Sequence, residues 1–247
     1  MTAVQVHGDA YAKIQGVIDQ LRAVQQEAWN NVSPPDANGV ASFNYLYTQI
    51  TAGILARLQD GAFKDPQFLS ELDVQFARRY LDALGDYHLN AHCPRSWRVL
   101  FDRRCDPRIT RMQFALAGIN AHVNYDLAFA LVATWKQIGP PESAGPQHDD
   151  YEAVNQVFRD EMANMRHHFE DPLLHRLDKS AVERLSNHFD DMLVIIFRNV
   201  AWHAGERLWR LERRSAAEFK LKSESMDAMT ALAGQALLAP IDIDERS

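Results

Sequence analysis

Residues 112–135 read MQFALAGINAHVNYDLAFALVATW, and no Lys, Arg or Glu interrupts them between Arg111 and Lys136. This is length for about six helical turns. On a helical wheel the apolar side chains go all the way round: Leu116, Ile119, Val123, Leu127 and Leu131 are joined by Phe114, Tyr125 and Phe129. A helix with no polar face is buried on every side, so the rest of the chain is expected to wrap around this one. Two polar stripes nevertheless run along it. Gln113, Asn120 and Asn124 share one side, while His122 and Asp126, four apart, stack roughly opposite. Burying such groups is costly unless each finds a partner. They mark either a structural hydrogen-bond network or a site.

Outward from this stretch the pattern stays helical. Tyr11–Trp29 carries an apolar face with Asp9 placed to cap it, and SPPDANG (Ser33–Gly39) then breaks the chain. A second helix is predicted from Ser42 to about Gln59, rich in aromatics at FNYLYTQIT. A third runs from Pro66 to Leu84, with Asp73 beside Phe76 near its inner face. GDYHLNAHCP (Gly85–Pro94) reads as a loop, and Ser96–Arg103 as a short helix pairing Trp97 with Phe101. After GPPESAGPQ (Gly139–Gln147) a helix is predicted from His148 to about His168, and residues 171–178 form a connector. A long helix from Ser180 to Arg214 has Leu185, Phe189, Met192, Leu193, Ile196, Val200, His203 and Leu208 inside. A last one, Ala216–Leu238, turns Phe219, Leu221, Met226, Met229, Leu232 and Leu237 inward. No segment alternates with period two. The expectation is a single all-α domain over 1–247, a compact bundle of about eight helices around the central one. Residues 1–40 supply an N-terminal helix and linker, 41–214 the core, and 215–247 a C-terminal helix and tail.

Composition narrows the function classes. At 247 residues with 47% hydrophobic content a sizeable core is available, and a net charge of −7 without a basic block argues against nucleic acid or anionic membranes as partners. The opening MTAVQVHGDAYAK has no basic leader before an apolar core, and Asn, His and Asp in the central helix disfavour its spanning a bilayer. Cys93 and Cys105 fit neither a zinc spacing nor a disulfide framework. A reduced cytoplasmic protein is expected, its oligomeric state left open.

Phosphate loops, HExxH, GxSxG and the Glu-x-x-His pairs of carboxylate bundles are all absent from the sequence. What remains is the His122/Asp126 pair. Its spacing lets imidazole and carboxylate share a cation, or lets the carboxylate fix the imidazole tautomer for general-base work. With Asp150 and His203 it makes a candidate ligand set for a divalent metal such as zinc. Asp149, beside them in sequence, would take a proton from bound water in hydrolase-like chemistry. Catalytic candidates are therefore His122, Asp126 and Asp149, and metal candidates His122, Asp126, Asp150 and His203. Asn120, Asn124, Tyr45, Tyr47, Asn155 and Trp202 are candidates for the wall of a small-molecule pocket. The alternative is a non-catalytic helical module for a small apolar ligand or a protein partner, its polar residues a structural network.

The runs FNYLYTQIT, RYLDAL, PRSWRVLF, QFALAGINAHVNYDLAFAL and DDYEAVNQVF resemble a bacterial family known only as a domain of unknown function. Its central Asn-Ala-His-Ile/Val-Asn-x-Asp-Leu motif is met by Asn120 to Leu127, after Gly118. An Asp-aromatic-x-x-x-Asn element is met by Asp150, Tyr151 and Asn155, and a Trp-x-Ala pattern by Trp202 and Ala204. The resemblance spans about residues 40 to 210. It implies no activity, but it implies that Asn120, His122, Asn124, Asp126, Asp150 and Asn155 belong to one constellation.

Overall fold

A computed structural model describes residues 3–30, 38–142, 144–165 and 191–240. All regular structure among them is helical: α1 (Ala3–Asn30), α2 (Gly39–Gln59), α3 (Pro66–His88), α4 (Arg95–Arg103), α5 (Arg111–Ala121), α6 (Leu127–Ile138), α7 (Pro146–Met165), α8 (Asp191–Arg214) and α9 (Ala216–Leu237). α5 and α6 are one continuous rod joined by a π-helical turn, His122–Asp126. The ends have local causes. The Asn38 side chain accepts from Val40 N at the start of α2, and Asp65 accepts from Phe68 N at the start of α3, where Pro66 needs no N–H partner. Thr110 and Gln113 form a reciprocal capping box on α5, and Ser215 caps α9.

The central rod is enclosed by α2, α3, α4, α8 and α9. α1 lies behind α2 and α3, and α7 packs on α2, α3 and α8. Residues 112–123 are buried without exception, and Leu127 and Leu131 are at most 1% exposed. α2 approaches α5 closely only because Gly118 has no side chain: a Cβ there would stand 2.3 Å from the Phe43 ring. The Gln113/Asn120/Asn124 stripe fastens α9. Gln113 Nε2 donates to the carbonyls of Leu237 and Ala239, Asn120 Nδ2 donates to that of Thr230, and Asn124 Nδ2 donates to Asn120 Oδ1.

Several expectations need correction. α1 begins before Asp9, which therefore lies inside the helix and caps nothing. α3 runs on through Gly85 to His88, where a loop was expected, and α7 begins at Pro146 rather than His148. α8 is rotated from its expected face: Ile196 and Val200 are exposed, while Arg198, Ala201, Trp202, Leu208 and Trp209 are buried. The cause is close packing of α8 on α6. Gly205 sits where a Cβ would lie 3.2 Å from Leu131 and 3.3 Å from the Ala128 carbonyl, so small residues decide which side faces in. α9 behaves alike, burying Thr230, Ala231 and Gly234 and exposing Leu221, Met229 and Leu232. The expected connector at 171–178, the helix start near Ser180, and Leu185 and Phe189 lie outside the described residues, as do the side chains of Met192 and Leu193. Among the described residues no helix is long and apolar enough to cross a membrane.

Candidate functional site

The π turn holds both members of the His122/Asp126 pair. An i→i+5 bond from Leu127 N to the His122 carbonyl replaces the usual pattern, the kind of local irregularity that clusters at functional positions. Asp126, 1% exposed, is fully committed. Its Oδ1 accepts from Arg79 Nε at 3.0 Å, and its Oδ2 accepts from Trp97 Nε1 at 2.7 Å. His122 Nδ1 lies 3.1 Å from the same Oδ2. A carboxylate so placed only accepts, so Nδ1 carries the proton and Nε2 presents a lone pair. Burial lowers the imidazole pKa, outweighing the opposite pull of Asp126, and the ring is neutral at pH 7.

His122 Nε2 is buried and has no hydrogen-bond partner. The ring stacks on Phe76 at 3.4 Å between centroids and has Tyr47 edge-on at 4.6 Å, with Phe43, Trp97 and Tyr80 closing the cage. It borders a cavity of about 50 Å³ whose wall is apolar apart from four residues, His122, Tyr47, Asp73 and Arg198. α2 supplies Phe43 and Ile50 to that wall, α3 Leu72 and Phe76, the rod Ile119 and Leu127, and α7 Val154 and Phe158. Asp73 Oδ2, like His122 Nε2, is buried and unpartnered, while the buried Tyr47 Oη has the Thr51 hydroxyl as its neighbour. Unpaired polar atoms converging on an apolar cavity are costly in an empty protein and are what a ligand satisfies.

Asp73 has its carboxyl pushed up to about 7 by burial alone. The sign of the linkage follows. An unfolded aspartate ionises near 3.9, so as pH rises from about 4 to about 7 the unfolded chain releases a proton that the folded one keeps, and stability falls. Asp73→Asn is therefore expected to match wild type at pH 4 and to be more stable at pH 8, by about 1–3 kcal/mol with about 4 as a ceiling. Urea titrations at the two pH values decide it. A variant less stable than wild type at pH 8 would show that the carboxylate is well solvated or paired. His122 acts oppositely: its lowered pKa makes stability fall as pH drops below the unfolded value of about 6.5.

The other expected residues lie elsewhere. The candidate metal set does not assemble: among the described residues no three His, Cys, Asp or Glu side chains are placed to share an ion. Asp150 is turned to the start of α3, accepting from Lys64 N and Asp65 N, and holds the α2–α3 loop. His203 is exposed and has Glu206 as its neighbour at 3.4 Å, because the rotation of α8 puts Trp202 inside instead. Asp149 forms a surface ion pair with Lys64 at 2.7 Å, which lowers its pKa, and it does not reach the cavity wall. Asn120 and Asn124 belong to the α9 fastening, on the opposite side of the rod. Of the two tyrosines, Tyr47 borders the cavity and half-buried Tyr45 does not. Trp202 joins Trp135, Tyr151 and His148 in a separate aromatic cluster.

Asn155 reaches the site indirectly. Its Oδ1 accepts from Arg198 Nε at 2.7 Å, while Arg198 Nη2 donates to the Tyr151 carbonyl at 2.7 Å. Arg198, Asp73, Arg79 and Trp97 were not among the expected site residues. Arg79 and Trp97 do sit in RYLDAL and PRSWRVLF, the runs that carry the family resemblance, and Asp73 beside Phe76 is visible as a carboxylate near an apolar face.

Fold and site together define an all-α protein with an aromatic-caged His-Asp pair at the edge of a small apolar pocket. The chain belongs to a family of unknown function, DUF5995, whose model matches residues 14–240. No curated protein and no solved structure matches the chain.

Proposed function

We propose that the pocket beside His122 binds a small, mostly apolar molecule that offers a proton donor to His122 Nε2. The observation that supports this is the neutral His122 itself: its Nδ1 is held by Asp126, and its Nε2 is buried, unpartnered and at the cavity wall. Asp126, itself anchored by Arg79 and Trp97, fixes the tautomer and the ring plane, the arrangement of an oriented general base. If a reaction follows binding, His122 is the group that takes the proton and Asp126 the group that stabilises the imidazolium. Asp73, with its raised pKa, stands ready to donate to an acceptor on the same ligand. Metal-assisted hydrolysis finds no support in this geometry, because Asp126 already accepts from three donors and, among the described residues, the other expected ligands do not gather around it.

A cavity of about 50 Å³ takes a few water-sized groups, so the ligand, or the part of it that enters, is small. The test is ¹⁵N NMR of the histidine rings while primary alcohols from methanol to hexanol are titrated in. The free protein is expected to show His122 protonated on Nδ1 only, and alcohols of fitting length to shift the Nε2 resonance saturably. The opposite tautomer, or an Nε2 resonance indifferent to the whole series, would sink the reading.

A further inference from the structure

Arg198 is 4% exposed and borders the same cavity as His122. Its partners are neutral: Asn155 Oδ1, the Tyr151 carbonyl, and the ring faces of Tyr151 at 4.2 Å and Phe158 at 5.3 Å. Among the described residues no carboxylate forms an ion pair with it. The nearest acid in the network, Glu152, accepts from Asn155 Nδ2 at 3.3 Å and favours the charged guanidinium through space without bonding to it. A buried cation without a directly bonded counter-ion is expensive, and burial accordingly lowers the Arg198 pKa. Here the guanidinium is nevertheless held rigidly by two hydrogen bonds and two rings, which leaves other N–H donors of the fork for a further acceptor.

We infer that the pocket takes its ligand as an anion, a short aliphatic hydroxy acid whose carboxylate is bound by Arg198, whose hydroxyl is the donor to His122 Nε2 and whose chain lies against Ile50, Leu72 and Phe158. This rests on the pocket reading above and adds the charge of the ligand to it. The rival anchor is Asp73, which would favour an amine. With its pKa raised to about 7, Asp73 is mostly protonated at pH 6, whereas Arg198 keeps its charge there although burial lowers its pKa, so the charge on the pocket wall at pH 6 is positive. A carboxylate would also convert neutral contacts of Arg198 into a charge-assisted pair, the stronger kind of hydrogen bond.

The experiment compares the ω-hydroxy acids from glycolate to 6-hydroxyhexanoate with their primary amides and with the matching amino alcohols. Binding to the full chain is read by calorimetry and by ligand-observed NMR at about pH 6, below the raised pKa of Asp73. The acid of best length is expected to bind about tenfold or more tighter than its amide, the range for a hydrogen bond to a charged partner. Arg198→Met is expected to erase that ratio, and Arg198→Lys to keep most of it. Acid and amide binding equally well would overturn the anion inference while leaving the pocket reading intact. So would a preference for the amine, which would move the anchor to Asp73. No binding by acid, amide, amine or the alcohols would remove the pocket reading itself. The wild-type ratio decides even if Arg198→Met fails to fold.

Discussion

Asp126→Asn is expected to lower stability by about 3 kcal/mol and to leave the melting temperature indifferent to chelator. The carboxylate is 1% exposed and receives hydrogen bonds from three side chains, one of them the Arg79 cation. Asparagine keeps the shape but turns one acceptor into a donor that faces donors. It also strips the charge that Arg79 pairs with. Breaking a buried pair by removing one partner costs about 3–5 kcal/mol, and the lower end applies because 31% of the Arg79 side chain reaches solvent. The same change frees His122 to change tautomer, so the hydroxyls of alcohols and hydroxy acids that bind wild type are expected to lose their hold on Nε2. Urea denaturation, thermal melts with and without chelator, and the histidine ¹⁵N spectrum give the answer. A loss under roughly 0.5 kcal/mol would mean the network is not formed. A wild-type melt that drops on adding chelator would reinstate a metal.

Leu127→Ala carries the second large effect. Leu127 is 1% exposed, follows the π turn directly and borders the cavity together with His122. Truncation removes its buried methyl groups and leaves a void, for which about 2–5 kcal/mol is the expected range. The new space adjoins the existing 50 Å³, so the cavity grows rather than collapsing. Apolar cavities enlarged in this way stay dry and take up apolar guests. The best chain length in the acid and alcohol series is therefore expected to move upward by one or more carbons, as the variant unfolds at lower urea. A stability change below roughly 0.5 kcal/mol would make the central rod peripheral. An unchanged chain-length optimum would place the ligand away from Leu127.

The all-α class and the position of the His-Asp pair were legible in the chain because both are local. A 3.6-residue period and the absence of alternation need no tertiary knowledge, and His122 and Asp126 meet through their spacing on one helix. The opposite stripe was equally plain as a stripe, but its role was not: only the docking of α9 shows that Asn120 and Asn124 fasten a helix. Asp73 gave a faint signal, a carboxylate beside Phe76 near an apolar face, without any sign that nothing pairs with it.

Three outcomes belonged to the tertiary structure alone. The π turn does not alter the residue pattern; it is an extra residue in the backbone repeat, and packing of the rod against α3, α8 and α9 accommodates it. The separation of Asp150 and His203 from His122 depends on where neighbouring helices begin and how they are rotated. For α8 that rotation is set by the close approach at Gly205, a term that hydrophobic periodicity does not contain. The same rotation brings in Arg198, which a pattern of apolar positions assigns to solvent. Sequence thus determined which helix is central and which His and Asp on it meet, because covalent spacing and burial preference act within one element. Which other groups face that pair was decided between elements, by the contact distances that small residues permit.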